Sequence, residues 1–249
     1  MKILVIGIGG RMGRTVAELA KTGVRGVTAV FGVDPTGGPA DVATFRRLED
    51  VDTDVDCLID FSHHSATNEL LAYAESERLP MVIATTGHTP EEERAIAEAA
   101  KVLPIFKTAN LSLGIALLKK IACITAQIMP EAEIEIVETH HDRKQDAPSG
   151  TALMLAEAIR AVRPECYPVC GRSGMGKRAK GEIGIHAVRI GNVVGQHEVL
   201  IGTDNQTISL KHTAHDRALF AEGALAAAEY IIHQPAGLYN MDDLTKDIK

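Results

Sequence analysis

The sequence predicts an α/β chain in which an N-terminal doubly wound domain is followed by a second, α+β domain that carries a mixed or antiparallel sheet. Residues 1–110 alternate short apolar runs with amphipathic helical patterns, which is typical of a parallel sheet with helices on both faces. Downstream, apolar and polar residues alternate at period two, which favours strands with one buried and one exposed face. A last helical pattern indicates that the chain returns to the first domain.

Five apolar runs in the first domain are predicted to be buried parallel strands. They are KILVIGI (2–8), VTAVFGVD (27–34), CLIDFS (57–62), MVIATT (81–86) and PIFKTA (104–109). Helices are predicted over 14–23, 66–80 and 89–104. Thr89 is the predicted N-cap of the last of these helices, and Pro90 takes the first helical position, where the missing N–H of proline leaves no bond unmade.

The second domain is predicted to contain helices over 113–128 and 150–162, with a strand over 133–141 between them. The segments 183–203 and 206–214 alternate at period two, and we expect them to form an antiparallel sheet with one exposed face. The pattern over 217–235 predicts the returning helix.

Composition excludes several classes of partner. The 249 residues carry 26 basic and 33 acidic side chains, and a net charge of −7 argues against binding to nucleic acid or to an anionic membrane surface. No apolar run has the length of a membrane span or of a secretory signal, so a cytoplasmic protein is expected. The four cysteines are scattered, and Cys166 and Cys170 lack flanking ligands, which favours reduced thiols over a disulfide framework or a zinc site.

A glycine-rich stretch, GIGGRMG (7–13), follows the first predicted strand and opens the first helix. In that context glycines permit a tight turn and let backbone N–H groups approach a pyrophosphate at the positive end of the helix dipole. Gly7, Gly10 and Gly13 give a G-x-x-G-x-x-G spacing, because Met12 interrupts the strict G-x-G-x-x-G pattern. The stretch predicts a Rossmann-type dinucleotide site.

An acidic residue at the end of the second strand bears on which dinucleotide binds. Asp34 lies 21 residues after Gly13, where a carboxylate would bind the ribose diol of NAD and repel the 2′-phosphate of NADP. NADH is therefore favoured. Arg11 and Arg14 could reach a 2′-phosphate, so NADPH stays open, and a solvated turn aspartate is the alternative interpretation of Asp34.

The stretch ETHHDRKQDAPSGTA (138–152) concentrates two histidines, a lysine and a turn into a helix. A metal site is disfavoured, because adjacent residues such as His140 and His141 point in opposite directions at a strand end. A polar loop is a second interpretation. The third is an acid–base and anion site: histidine delivers a proton near neutrality, Lys144 supplies positive charge, and free N–H groups at 149–151 suit a carboxylate. Beside a nicotinamide, this combination fits reduction of an anionic substrate.

The same stretch resembles the E-x-H-H-x-x-K-x-D-x-P-S-G-T-A signature of the 4-hydroxy-tetrahydrodipicolinate reductases, enzymes of lysine and diaminopimelate biosynthesis. Further segments resemble that family in the same order: GIGGRMGR, DFSHHSAT, IATTGHT, TANLSLGI, RIGNVVGQHEVLI and HTAHDRALFAEGALAAAEYI. The resemblance spans nearly the whole chain. It implies NAD(P)H-dependent reduction of 4-hydroxy-tetrahydrodipicolinate, a small cyclic dicarboxylate, to tetrahydrodipicolinate with loss of water.

The resemblance also implies roles for individual residues. His140 would be the proton donor or acceptor and Lys144 the second acid–base group, while His141, Gly150 and Thr151 would bind the substrate carboxylates. No metal ligand is implied. The implied cofactor contacts are Gly7, Ile8, Gly9, Gly10, Arg11, Met12, Asp34, Ala84, Thr85, Thr86, Thr108, Ala109, Asn110, Leu111 and Arg217.

The patterns above divide the chain into a first domain over 1–112, completed by 217–249, and a second domain over 113–216. The first would bind the dinucleotide. By resemblance, the second would bind substrate and join the subunits of a homotetramer through its sheet. Two rival functions stay open: another nicotinamide oxidoreductase acting on a different small acid, and a dinucleotide sensor without catalysis.

Overall fold

Within residues 1–246, which are the part of the chain that the structure describes, a computed structural model shows one seven-stranded and one five-stranded sheet. The first elements are β1 (Lys2–Ile6), α1 (Arg11–Ala20), β2 (Ala29–Val33), β3 (Ala43–Phe45), β4 (Cys57–Asp60), α2 (Thr67–Glu77), β5 (Met81–Ile83), α3 (Pro90–Ala99) and β6 (Pro104–Lys107). They are followed by α4 (Leu113–Ile128), β7 (Glu133–His140), α5 (Gly150–Val162), β8 (Tyr167–Cys170), β9 (Glu182–Arg189), β10 (Gly195–Thr203), β11 (Gln206–Ala214), α6 (Ala218–Ile231), β12 (Gly237–Tyr239) and α7 (Met241–Leu244).

The chain divides into two units. Unit 1 comprises Met1–Leu113 and Ala218–Lys249, and unit 2 comprises Gly114–Arg217. The cofactor and substrate roles assigned to the two predicted domains stay predictions. No helix in the described part of the chain combines the length and the apolar character needed to cross a membrane.

The sheet of unit 1 has the order β12-β6-β5-β4-β1-β2-β3, and the strand pairs are parallel. This order confirms the predicted doubly wound α/β fold, because the chain leaves β1 toward one side and returns to build the other. The apolar runs form central strands, with Ile3, Leu4 and Val5 of β1 fully buried. The carboxyl ends of parallel strands share one edge, and a ligand binds there where the strand order reverses.

The predicted start of α3 is confirmed. Thr89 is the N-cap, and its side chain accepts a hydrogen bond from the backbone N–H of Glu92, while the Glu92 carboxylate accepts one from the N–H of Thr89. Pro90 is the first helical residue. Two of the N–H groups that a helix start leaves unpaired are thus satisfied reciprocally.

The sheet of unit 2 has the order β11-β10-β7-β9-β8. β10 runs antiparallel to both β11 and β7, but β9 runs parallel to β7 and to β8. The predicted mixed sheet is confirmed. The expectation that the strands of 183–203 and 206–214 pair antiparallel is met by β10 and β11 and is wrong for β9. Period-two alternation reports which face of a strand is buried and carries no information on strand direction. Here α5 follows β7 along the chain and makes a crossover connection toward the parallel strands.

Three short strands, β3, β8 and β12, lie at sheet edges and were not predicted. Their three or four residues are too few for a periodic pattern to stand out. The predicted segment 183–203 is divided into β9 and β10 by a turn in which Gly191 has a φ of 51°. These differences concern edges and boundaries, and the central strands and long helices lie where they were predicted.

Candidate active site

The glycine loop lies between β1 and α1, at the carboxyl edge of the parallel sheet. Gly7 has a φ of +76°, and a Cβ there would lie 2.8 Å from the carbonyl oxygen of Phe61. At Gly13 a Cβ would lie 2.3 Å from the Gly7 oxygen. Gly10 is the N-cap of α1 and has no side chain to cover the helix start. The loop is therefore a backbone cradle that added side chains would obstruct, which fits a pyrophosphate at a helix N-terminus.

Asp34 lies just beyond β2, against the glycine loop. Its carboxylate accepts hydrogen bonds from the N–H of Gly9 at 3.0 Å and from the N–H and hydroxyl of Thr36 at 2.9 and 2.7 Å. Burial alone would raise the pKa of Asp34, but these hydrogen bonds outweigh it and hold that pKa below its usual value. A Cβ at Gly9 would lie 2.8 Å from Asp34 Oδ2, so glycine is needed there too.

A cavity of about 690 Å³ opens at this place, lined among others by Gly7, Gly9, Asp34, Arg46 and Arg47. Its size is within the range of small-molecule sites. The sequence reasoning did not anticipate the two arginines, which come after β3, a strand that it missed.

The other cofactor candidates of unit 1 follow β5 and β6 at the same edge. The hydroxyl of Thr85 donates to the buried carboxylate of Asp60 at 3.1 Å and lies 3.2 Å from His88 Nε2. The hydroxyl of Thr108 donates to the carbonyl of Asn110 at 3.0 Å. The remaining candidates here are Ala84, Thr86, Ala109 and Leu111, and Leu111 is buried. Arg217 precedes α6 and belongs to unit 2.

In unit 2, the core-facing side of the sheet becomes polar at one end. Ile134 and Ile136 of β7 are buried in the core, and by the two-residue period of the strand Glu138 and His140 continue the same face. The neighbouring strands place His197 opposite Glu138 and Arg189 opposite His140. A group of ionisable side chains therefore meets the start of α5.

His140 is the last residue of β7 and is only 9% exposed. Its Nδ1 lies 2.6 Å from Glu138 Oε2, and its ring centroid lies 5.1 Å from that of His197. Burial lowers the pKa of His140, and the contact with Glu138 offsets this only in part. The Nε2 side of the ring lies against Gly195, where a Cβ would be 3.1 Å from Nε2.

The loop after β7 brings the other substrate candidates to the start of α5. Lys144 Nζ pairs with Asp146 Oδ1 at 2.8 Å. Ser149 is the N-cap of α5, and its hydroxyl oxygen accepts from the N–H of Ala152 at 3.2 Å. Gly150 and Thr151 form the first turn, and the side of Gly150 where a Cβ would stand is open space. An anion can approach a helix start with this geometry.

His141 follows His140 directly after β7, and its Nδ1 is buried without a hydrogen-bond partner among residues 1–246. Its backbone is fixed, since the His141 N–H donates to the carbonyl of Val193 at 2.8 Å. A buried ring nitrogen that lacks a protein partner is suited to a ligand oxygen.

Sequence reasoning missed three members of this group: Glu138, Arg189 and His197. Glu138 could have been found from strand periodicity, because it stands two residues before His140 on a predicted strand. Arg189 and His197 come from β9 and β10, and only the register of the sheet brings them to His140. The hydroxyl of Ser149 lies 3.1 Å from His197 Nε2, which ties β10 to the start of α5.

The comparisons with known proteins agree over the whole chain. Residues 1–111 match the family described as dihydrodipicolinate reductase, N-terminus, and residues 114–245 match dihydrodipicolinate reductase, C-terminus. The 4-hydroxy-tetrahydrodipicolinate reductase of Caldanaerobacter subterraneus subsp. tengcongensis is 44% identical over 99% of this chain and 98% of its own. That of Clostridium tetani is 40% identical over 97% and 96%.

Among solved structures, the dipicolinate-bound dihydrodipicolinate reductase from Paenisporosarcina sp. TG-14 superposes with a TM-score of 0.83, at 25% identity over 98% of each chain. An amine dehydrogenase from Mycobacterium smegmatis has a TM-score of 0.63 at 12% identity, over 98% of this chain and 95% of its own, and shares the fold alone. Both halves of the sequence and the full-length relatives lead to one assignment: the chain belongs to the dihydrodipicolinate reductase family.

Proposed function

We propose that this chain reduces 4-hydroxy-tetrahydrodipicolinate to tetrahydrodipicolinate with NADH or NADPH, in lysine and diaminopimelate biosynthesis. One hydride and one proton are added to the substrate, and its 4-hydroxyl group leaves as water. The observation that carries the proposal is the placement of His140 and Lys144 beside the start of α5: Lys144 acts on His140 by charge, and Glu138 and Asp146, their respective partners, accept hydrogen bonds from the N–H groups of Ser149 and Gly150. Full-length similarity to reductases of that name supports the choice of substrate.

The substrate carboxylates would be held by the backbone at Gly150 and Thr151 and by the ring of His141. The helix start offers a positive dipole end, and the Nδ1 of His141, buried without a hydrogen-bond partner among residues 1–246, offers a further polar atom. These groups are fixed before substrate arrives, so little ordering entropy is lost on binding. A dicarboxylate meets localised donors here despite the net charge of −7.

The proton would come from Nε2 of His140, with Lys144 as a second acid–base group and substrate contact. Because Nδ1 is engaged by Glu138, Nε2 is the ring nitrogen left to exchange a proton with substrate. Bound carboxylates would favour the imidazolium form, since a nearby negative charge raises the proton affinity of a histidine. The acid would thus be charged when substrate is present.

The dinucleotide would be held in unit 1, with its pyrophosphate at Gly7–Met12 and its ribose at Asp34, and with further contacts from 84–86 and 108–111. Arg217, just before α6, is a further cofactor contact that the family resemblance implies. The bound cofactor would supply the hydride. Asp34 favours NADH, because its ionised carboxylate would oppose a 2′-phosphate. Arg46 and Arg47 line the same cavity, and their positive charges would reduce the repulsion between Asp34 and a 2′-phosphate.

The assembly would be a homotetramer joined through unit 2. The outer side of α4 carries Leu117, Ile121, Ile124 and Ile128 at helical spacing, and they are 38% to 74% exposed. An apolar stripe of this kind marks a contact surface. Native mass spectrometry should give four subunits, and a monomer would contradict the assignment. We also propose a cytoplasmic location, which agrees with the four cysteines, none of which is paired in a disulfide within residues 1–246.

The proposed activity is tested by following oxidation of NADH and NADPH spectroscopically, with substrate generated in situ by the preceding synthase from pyruvate and aspartate semialdehyde. We expect oxidation that depends on the synthase and is faster with NADH. A reaction lacking the synthase is the control. A folded protein that binds NADH without oxidising it would contradict the proposal and favour the sensor or a different oxidoreductase.

A further inference from the structure

A buried carboxylate lies behind the proposed proton donor. Glu138 has no exposed surface, yet four donors reach its two oxygens. Oε2 accepts from His140 Nδ1 at 2.6 Å and from Arg189 Nη1 at 2.8 Å. Oε1 accepts from the N–H of Ser149 at 2.9 Å and from Arg189 Nη2 at 2.8 Å.

The ionised state of Glu138 decides the state of the histidine. Burial would raise the pKa of Glu138, but the hydrogen bonds from Arg189, His140 and Ser149 outweigh it and leave the pKa below its usual value. An ionised carboxylate only accepts hydrogen bonds, so the Nδ1 of His140 must carry a hydrogen. The neutral ring is then locked as the Nδ1–H tautomer, with Nε2 as the nitrogen that gains and loses the catalytic proton.

The same carboxylate also holds the start of α5. The N–H of Ser149 is fixed to Oε1, and the Ser149 hydroxyl caps the helix whose first turn is Gly150 and Thr151. One side chain therefore connects the acid–base group on β7 to the carboxylate anchor on α5. Arg189, in register with His140 on β9, neutralises it with two parallel hydrogen bonds.

We infer that Glu138 is a positioning residue: it fixes the tautomer and orientation of His140 and, through Ser149, the geometry of the carboxylate anchor. The inference rests on the proposed function of this site. Glu138 does not touch the reacting atoms, and it acts through His140 and Ser149. In other enzymes a carboxylate behind a catalytic histidine has this function, and its replacement by an amide leaves the wrong tautomer.

The charges around His140 set the direction of the expected pH effect. Glu138 and His197 pack against the ring, and Arg189 and Lys144 act on it by charge. Burial, Lys144 and Arg189 lower the pKa of His140, and Glu138 alone of these raises it. Removal of the Glu138 charge must therefore lower that pKa further. The required imidazolium would then be lost at a lower pH.

A matched control lies on the same strand. Glu135 accepts from Arg178 Nε at 3.1 Å and from His186 Nε2 at 2.7 Å, so it too joins an arginine and a histidine. It stands three residues before Glu138 and therefore faces the opposite side of the sheet. Glu135→Gln breaks a similar network without touching His140.

The test compares wild type, Glu138→Gln, Glu138→Asp and Glu135→Gln by the ¹⁵N spectra of their histidine rings and by the pH dependence of turnover. The ring ¹⁵N signal that is missing from the spectrum of His140→Gln is assigned to His140. We expect the Nδ1–H tautomer in wild type and Glu135→Gln. In Glu138→Gln we expect a tautomer mixture, titration at lower pH and a kcat lower by up to about 10,000-fold. Glu138→Asp keeps the charge and should recover part of the tautomer preference and of kcat.

Two outcomes would overturn the inference: an unchanged tautomer and titration in folded Glu138→Gln, or equal effects of Glu138→Gln and Glu135→Gln. If Glu138→Gln does not fold by circular dichroism, the wild-type ring spectrum decides alone, and a neutral His140 with its hydrogen on Nε2 would overturn the inference. The ring spectra need no substrate. If the wild type lacks reductase activity but the tautomer of His140 still depends on Glu138, the proposed function is contradicted and the positioning role of Glu138 is supported.

Discussion

At the scale of single residues, His140 illustrates how burial sets the chemistry of a side chain. Its exposed fraction is 9%, and desolvation lowers its pKa despite a carboxylate at 2.6 Å. A donor must be protonated, so kcat/KM should fall as pH rises through the pKa of His140 in the free enzyme, which lies below the ordinary value near 6.5. A pH profile checks this, and a fall that occurs only in the alkaline range would contradict it.

Replacement of His140 tests its role directly. His140→Gln should lower kcat by about 100- to 10,000-fold while KM changes little, because a proton donor acts chiefly in the transition state. His186→Gln is the matched control, since that histidine also contacts a strand carboxylate but lies on the other face of the sheet. Steady-state kinetics measures both variants. A raised KM with an unchanged kcat would remove His140 from the acid–base role.

Asp34→Asn tests the cofactor preference. The amide keeps an oxygen for Thr36 but loses the charge that opposes a 2′-phosphate. Like charges about 4 Å apart repel by about 1 kcal/mol in water and by about 4 kcal/mol near a protein surface. The ratio of kcat/KM for NADH over NADPH should therefore fall by about fivefold or more. Thr36→Val, which removes only the hydroxyl bond to Asp34, should leave the ratio as it is, and an unchanged ratio in Asp34→Asn would make the aspartate a turn residue.

At the scale of elements, the junction of β1 and α1 depends on backbone contact. A Cβ at Gly13 would lie 2.3 Å from the Gly7 oxygen and 2.6 Å from the Ile8 Cα, and neither backbone atom can swing aside as a side chain could. Gly13→Ala should lower the free energy of unfolding by about 1–3 kcal/mol and weaken NADH binding. Thermal unfolding and calorimetric titration measure the two effects. Gly176→Ala, where no atom lies within 4 Å of the new Cβ, is the control and should behave as wild type.

The sheet of unit 2 shows how an element can serve two purposes. Along one face of β7, Ile134 and Ile136 pack in the core, and Glu138 and His140 continue that face into the site. Because Ile134 and Ile136 fix the strand in the core, the side chains of Glu138 and His140 are held in a fixed position. Positions on rigid strands keep catalytic groups more closely in place than loops do.

At the scale of the whole molecule, stability should depend on pH through a buried histidine. Burial lowers the pKa of His197 to about 4. Between that value and the unfolded value near 6.5, the unfolded chain binds a proton that the folded chain does not. The free energy of unfolding should therefore fall as pH is lowered through this window, by roughly 3 kcal/mol for this one group.

His197→Gln removes the titration while keeping an acceptor for Ser149, so the loss of stability between about pH 6.5 and 4 should become smaller. A part should remain, because burial also lowers the pKa of His140 and of His212. Denaturant unfolding followed by circular dichroism at several pH values measures this. The exposed His215→Gln is the control. Equal slopes in wild type and His197→Gln would contradict the assignment.

The sequence by itself determined the parallel sheet, the glycine loop, the capped α3 and the family, since these depend on local periodicity, on turn chemistry and on a contiguous signature around His140. The sequence did not predict strand direction in unit 2, because alternation reports burial and carries no direction. It did not predict the short edge strands, because three or four residues are too few for a periodic pattern to stand out. Only the tertiary structure placed Arg189 and His197 around Glu138 and His140. These residues lie some fifty positions apart in the chain, and the register of three neighbouring strands is the physical cause of their meeting.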